Sequence, residues 1–322
     1  MTVISRRNLL KGIGLSTLGF GFGAKLGLSP AQAQTTPGTQ PAIAYYRFQV
    51  GDLNITNIHD GSAVLPTNLF GTNADEGASD AVLAANHLST GTFNSIANLM
   101  LIETGDRLAL IDTGYGDFTL GEPTNAGKLL DTLTSLGIDH GSITDVVISH
   151  FHPDHVGALA FEGGASFPNA ALHFPQVEWD FLSAQPTGTE EAAFFDYARF
   201  KMQPYIDSDQ LSLYTEGQEV LTGITPVAAF GHTPGHHAFM LSSGDQTLLH
   251  MVDIANHFLL GFQHPEWYFG FDAMPDMAVE TRRNTLEMAA TDGIQVFGYH
   301  FPFPGIGYVI KDGEGYRFLA AS

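Results

Sequence analysis

From Ser149 onward the chain reads His150-Phe151-His152-Pro153-Asp154-His155, four metal-capable side chains in six residues. Three imidazoles and a carboxylate this close cannot all be buried without partners, because each unpaired polar group costs on the order of several kcal/mol. A shared cation would satisfy them together. Imidazole nitrogen and carboxylate oxygen are the ligands that zinc and similar divalent ions accept. A chance His-rich turn would also account for the cluster, in a chain with 14 His. It would not account for three further candidates downstream: His232 in Gly231-His232-Thr233-Pro234-Gly235-His236, then Asp253, then His300.

The elements that must position these residues share one pattern. Asp145 to Ser149, Ile224 to Phe230, Thr247 to Val252 and Gly293 to Gly298 are short apolar runs, and two of them are bounded directly by Gly. Such runs read as buried strands. Each candidate therefore sits just past the C-terminal end of a strand, where α/β sheets carry their functional loops. One sheet edge would gather five imidazoles and two carboxylates, namely His150, His152, His155, His232, His300, Asp154 and Asp253. That is too many donors for one tetrahedral ion and suits two. Leucines at helical spacing predict a helix over Thr124 to Leu136, and a second is expected over Asp276 to Thr291. Alternating helices and strands point to an α/β fold and fit an αβ/βα architecture. Glu190 to Tyr205 has helical spacing, and His257 to Phe271 reads as an aromatic loop over the sheet.

The combination of His-x-His-x-Asp-His, Gly-His-Thr-Pro-Gly-His, a strand-terminal Asp and a final His resembles the metallo-β-lactamase fold superfamily, which implies its α/β fold, an αβ/βα four-layer sandwich. Ala109-Leu110-Ile111-Asp112-Thr113-Gly114 is similar to its early strand-and-turn motif. Within it the chain looks most like the methyl parathion hydrolase group of lactone, ester and organophosphate hydrolases. Tyr45-Tyr46-Arg47, Gly51-Asp52, Asp60-Gly61, Phe303-Pro304-Gly305-Ile306-Gly307 and Gly315-Tyr316-Arg317-Phe318 carry that narrower likeness. The resemblance implies that His150, His152 and His232 hold one ion, and that Asp154, His155 and His300 hold the other. Asp253 would bridge the two. Zinc is the expected metal, and manganese, cobalt or iron fit the same donors. Asp112 would orient a ligand imidazole. His236 reads as structural, and His237 and His250 as packing or surface residues. His257 and His264 are placed to reach substrate, and Phe118 with Phe194 or Phe195 match the group's aromatic pocket. Trp179 and Leu182 occupy the stretch of another aromatic wall.

Absences narrow the chemistry that the resemblance allows. His152 stands where the superfamily's diiron flavoproteins carry Glu. A bridging Asp253 departs from the β-lactamases, which place Cys, Ser or another residue there. No GxSxG motif supplies a serine nucleophile, so attack by a metal-bridging hydroxide is expected, with Asp154 and Asp253 as its catalytic carboxylates. Acyl-homoserine lactonases of the superfamily place a Tyr three residues after the bridging Asp; here that residue is Asn256. An alkoxide leaving group would then have to be stabilised by the metal, or take its proton from water or from His257. A phenolate, with a conjugate acid of pKa about 10 or below, leaves without much help. The expectation is a hydrolase of small, neutral, lipophilic esters or lactones, aryl leaving groups preferred, with organophosphate triesters in range. Its rivals are a quorum-quenching N-acyl-homoserine lactonase and a non-catalytic periplasmic metal-binding protein.

Composition agrees. Thirteen Lys and Arg against 34 Asp and Glu give a net charge of -21, which repels nucleic acid and anionic lipid. Ser5-Arg6-Arg7-Asn8-Leu9-Leu10-Lys11 resembles a twin-arginine export motif. A Gly-rich apolar stretch and Ala31-Gln32-Ala33 complete a leader over residues 1–33. The stretch is shorter than the ~20 residues of a membrane span, so no stable insertion is expected. Residues 34–42 read as a tether and 43–322 as one hydrolase domain. The expected location is periplasmic or secreted, with the twin-arginine machinery as a partner. The aromatic segments could equally form a homodimer interface. With no cysteine there is neither a disulfide nor a thiolate ligand.

Overall fold

Strands that are apolar on both faces must be covered on both sides, and here that requirement decides the layering. The computed structural model describes residues 44–119, 125–189 and 192–321. The expected leader and tether lie outside the described residues, as do Thr124 and Glu190 at the starts of two expected helices. One seven-stranded sheet has the order β1 (Tyr45–Val50), β2 (Leu53–Pro66), β3 (Thr92–Thr104), β4 (Arg107–Ile111), β5 (Asp145–Val147), β8 (Ala171–Pro175), β9 (Leu211–Tyr214). Between β5 and β8 the chain inserts a small hairpin, β6 (Ala160–Phe161) with β7 (Gly164–Ala165). The second sheet runs in sequence order: β10 (Ile224–Ala228), β11 (His237–Ser243), β12 (Gln246–Val252), β13 (Gln295–Gly298), β14 (Ile306–Asp312) and β15 (Gly315–Ala320). Two strands that precede ligands have parallel neighbours, β5 with both β4 and β8 and β12 with β13.

Alternation along each strand sorts the side chains into three interlayer cores. Met100, Ile102, Ile111 and Val147 meet Phe239, Leu248 and Phe297 between the two sheets. Their sequence neighbours Leu99, Leu101, Leu110 and Val146 point outward under α2 (Leu129–Ser135), α4 (Gln176–Ala184) and α5 (Ala193–Asp207). On the far side, Leu249, Met251 and Val296 pack under Leu286 and Ala289 of α7 (Pro275–Asp292). The result is a four-layer helix–sheet–sheet–helix sandwich. A satellite cluster of Leu65, Phe70, Phe93, Leu260 and Trp267 joins α1 (Ala78–Ala85) to the single-turn α6 (Leu260–Gln263). The turn α3 (Pro153–Val156) lies within the ligand cluster itself. No helix among the described residues is long and apolar enough to cross a membrane.

Three local expectations need revision. The helix expected from Thr124 begins only at Leu129, because Gly127 has φ +79° and a Cβ there would lie 2.1 Å from the Gly116 carbonyl oxygen. The buried Asp60 carboxylate also takes the Gly127 and Leu129 N–H groups, at 3.0 and 2.7 Å, and so fixes where the helix can start. The aromatic stretch from His257, expected as loop, contains the helical turn α6, which carries Leu260 and Phe262 into the core. The helix expected at Glu190 to Tyr205 is described from Ala193 to Asp207. The last helix, by contrast, ends one residue beyond expectation, at a left-handed Gly293.

Candidate metal centre

The ligand candidates converge because β5 of the first sheet and β10, β12 and β13 of the second end at a common rim. His150 and His152 follow β5, and Pro153 at the first position of α3 sets the helical turn that presents Asp154 and His155. His232 follows β10, Asp253 follows β12 and His300 follows β13. Donor atoms of His150, His152 and His232 lie within 4.8 Å of one another, as do those of Asp154, His155 and His300. Asp253 sits between the two groups. Its Oδ1 is 3.2 Å from His155 Nε2, and its Oδ2 is 3.2 Å from both His232 Nε2 and His300 Nε2.

Their chemistry fits bound cations. His150 Nε2, His155 Nε2 and Asp253 Oδ1 are buried with no aligned hydrogen-bond partner. His152 Nδ1 and His232 Nε2 approach each other to 2.9 Å. Buried polar atoms are ordinarily paired, and leaving one unpaired costs about 1–3 kcal/mol. A divalent ion in each group would pair them all, so the His and Asp clusters fit a dinuclear site.

The opposite ring nitrogens are pinned. His155 Nδ1 donates to Asp112 Oδ2 at 2.8 Å. The Ser149 hydroxyl donates to the same oxygen at 2.8 Å and accepts from His150 Nδ1 at 3.0 Å. His232 Nδ1 donates to Asp272 Oδ1 at 2.9 Å, and His300 Nδ1 donates to the Ile96 carbonyl at 2.6 Å. A proton held at Nδ1 leaves Nε2 as a lone pair aimed into the cluster. His236 donates to the Ala229 carbonyl at 2.8 Å, and its Nε2 accepts the Asp253 N–H at 3.2 Å, so it positions the central carboxylate. Val252, just before Asp253, has φ +48°, a conformation rare for a β-branched residue, and it accompanies a bulge in the β12–β13 pairing.

Electrostatics point the same way. Burial and the adjacent imidazoles hold His150 and His152 well below the usual histidine range, in the neutral form that binds metal. Burial also opposes charge on His232, yet Asp253 and Asp272 lift it to about 9. A field that draws a proton onto an imidazole draws a metal cation in its place. Behind the ligands, the buried Glu178 accepts the Phe151 N–H at 3.1 Å and the Gly235 N–H at 2.7 Å. It thereby ties the two ligand loops together, and burial pushes its carboxyl up to about 7. At Gly116 a Cβ would come within 2.1 Å of the Gly157 carbonyl oxygen, so the loop carrying Asp112 can lie directly on the end of the ligand turn.

Above the ligands opens a cleft bordered by His152, Asp154, His232, Asp253 and His300. Phe118, Phe194 and Asn256 line it. The Asn256 amide donates to Asp253 Oδ2 at 2.8 Å. Phe195 does not line it and instead packs against Phe151, 5.2 Å between ring centres. His257 also lies elsewhere. Its Nδ1 accepts the Leu259 and Leu260 N–H groups, burial lowers its pKa to about 4, and it borders a neighbouring cavity with Phe93 and Ile96. His264 stacks on Trp267 and pairs with Glu266. Trp179 packs against Phe174, and Leu182 is core. His237 and His250 are both buried packing residues.

The sequence pattern did not single out Asp272, Ser95 or Tyr115, all of which support or line the site. Phe269 and Phe271 lay within a stretch already marked by its aromatics. Asp272 carried no spacing signal. Tyr115 donates its hydroxyl to the Ser95 carbonyl at 3.0 Å, and burial together with the Asp154 charge keeps that phenol neutral.

Residues 94–297 match the family model of the metallo-beta-lactamase superfamily. A probable metallo-hydrolase of Mycobacterium tuberculosis is 25% identical over 219 residues, 60% of this chain and 68% of its own length. AidC, a dizinc quorum-quenching lactonase solved with a homoserine product, aligns with a TM-score of 0.79 and 25% identity, over 88% of this chain and 99% of AidC. AbOPH, a hydrolase in the beta-lactamase superfamily, aligns with a TM-score of 0.79 and 26% identity, over 88% of this chain and 99% of its own.

Proposed function

The chain belongs to the metallo-beta-lactamase superfamily, and from that membership we propose an exported dinuclear hydrolase of small, neutral, lipophilic esters or lactones. It is a metal-dependent hydrolase, in keeping with its relatives. His150, His152 and His232 would hold one ion and Asp154, His155 and His300 the other, with Asp253 between them. Zinc suits these donors best. Bound there, the ions would supply Lewis acidity toward a carbonyl or phosphoryl oxygen and a water activated near neutral pH.

The observation that carries the substrate class is the wall of the cleft. Apart from the ligands themselves, none of the described residues that line it is charged, and Ala63, Leu65, Phe118, Phe194, Phe269 and Phe271 present apolar side chains to it. Such a cleft desolvates an apolar group at little cost but offers nothing to a charged one. Phe118 and Phe194 would hold the apolar part of the substrate against the ligands and exclude water around it. Asn256 supports a preference for aryl leaving groups. Its amide is occupied by Asp253, and a carboxamide does not release a proton at neutral pH. Organophosphate triesters with phenolic leaving groups fall within the same reading. Export and a periplasmic or secreted location rest on the leader-like residues 1–33.

A second reading, an acyl-homoserine lactonase, is favoured by the likeness to AidC. Initial rates of the purified protein on phenyl acetate, dihydrocoumarin, methyl paraoxon and a hexanoyl-homoserine lactone separate the two. The aryl ester and aryl lactone are expected to exceed the homoserine lactone in kcat/KM by about tenfold or more, within the range one pocket change can produce. The reverse order would transfer the protein to the signalling lactonases.

A further inference from the structure

A lysine ammonium persists in a protein interior only where partners replace its water, and Lys201 of α5 is fully buried. Its Nζ donates to the Ala160 carbonyl at 2.6 Å and pairs with Asp117 Oδ1 at 2.7 Å. The same Asp117 oxygen accepts the Tyr197 hydroxyl at 2.7 Å. The rings of Phe161 and Tyr197 stand 4.4 and 5.1 Å from Nζ, within cation–π range. Three segments around the cleft therefore meet at one charge. They are the loop after β4 that carries Phe118, the strand β6 just beyond the ligand turn, and the helix α5 that carries Phe194. Phe118 contacts Phe194 edge-on at 5.8 Å and Tyr197 at 5.4 Å between ring centres.

We infer that Lys201 is a positioning residue that, through Asp117 and Tyr197, fastens the Phe118–Phe194 wall and so sets how large an apolar group the cleft accepts. The inference rests on the proposed hydrolase reading for its substrate consequence, but the fastening stands on contacts alone. Partial burial opposes ionisation of Asp117, yet hydrogen bonds from Lys201 and Tyr197 hold its carboxyl below the usual range. Because the Asp117 side chain is 50% exposed, it can hydrate when Lys201 is replaced. Lys201→Met, which keeps the length and removes the charge, is therefore a variant that should fold.

The test compares Lys201→Met, Asp117→Asn, Tyr197→Phe and the Lys201→Met/Asp117→Asn pair on p-nitrophenyl acetate and p-nitrophenyl octanoate, which share a leaving group. Metal content is measured in each preparation and is expected to match the wild type. The octanoate KM is expected to rise about fivefold or more while kcat for both esters stays within about twofold, the pattern of lost ground-state binding. The pair should be no worse than its poorer single member, since the two residues act through one contact. Equal losses on both esters carried by kcat, or an unchanged octanoate KM in every variant, would overturn the assignment. Amide hydrogen exchange over residues 115–118 and 193–200 reads the fastening without turnover. Faster exchange in Lys201→Met is expected, and wild-type protection there would overturn it. A wild-type protein inert on all esters and lactones would refute the hydrolase reading, and the exchange result would still decide the fastening.

Discussion

Replacing Asp253 with alanine is expected to lower kcat/KM by about a thousandfold or more, and to cost the protein bound metal in the same preparation. Both carboxylate oxygens are engaged, Oδ1 toward His155 and Oδ2 toward His232 and His300, so the loss falls on both halves of the site. Metal-assisted charge stabilisation is worth several kcal/mol, and each 1.36 kcal/mol is about tenfold in rate. The replacement also removes the negative charge that offsets a cluster of buried imidazoles. Metal analysis and steady-state rates on one batch check the outcome. A variant that keeps both its metal and its rate would remove Asp253 from the site.

Asp112→Ala is expected to weaken metal affinity by about 10- to 100-fold, the usual effect of deleting a carboxylate behind a ligating histidine. Asp112 should stand near the top of that range because it serves two ligands. It accepts from His155 Nδ1 directly and reaches His150 through the Ser149 hydroxyl. It also accepts the Ser149 N–H at 2.8 Å, which alanine would leave buried and unpaired at a cost of about 1–3 kcal/mol. Asp272→Asn should show a smaller loss, since an amide oxygen can still accept from His232 Nδ1. Competition against a chromogenic chelator ranks the two. An Asp112→Ala protein with wild-type affinity would make Asp112 a turn residue only.

The residues that the motif spacing singled out as ligands do converge, but not on one sheet edge as expected. Those after β5 belong to the first sheet and those after β10, β12 and β13 to the second, so the cluster lies where the ends of two sheets meet. They were legible because each follows a short apolar strand; that the strands belong to two sheets packed face to face was not. What was not legible depended on contacts remote in sequence. Asp272 reaches His232 from 40 residues away, across a loop whose course no local pattern dictates. The leucines from 129 to 136 have helical spacing, but where their helix begins is set by Asp60 on β2. Phe194 and Phe195 were equivalent in the sequence. A helix turns about 100° per residue, so one of the pair faces the cleft and the other packs against Phe151. His257 stood close to the site in sequence, and the backbone N–H groups of Leu259 and Leu260 take its Nδ1 into the satellite cluster.

The most direct measurement is metal stoichiometry paired with phenyl acetate hydrolysis before chelation, after it, and after zinc is restored. The proposed function requires two ions per chain in the active protein, loss of turnover when both are removed, and recovery on their return. Undiminished hydrolysis by metal-free protein would contradict it.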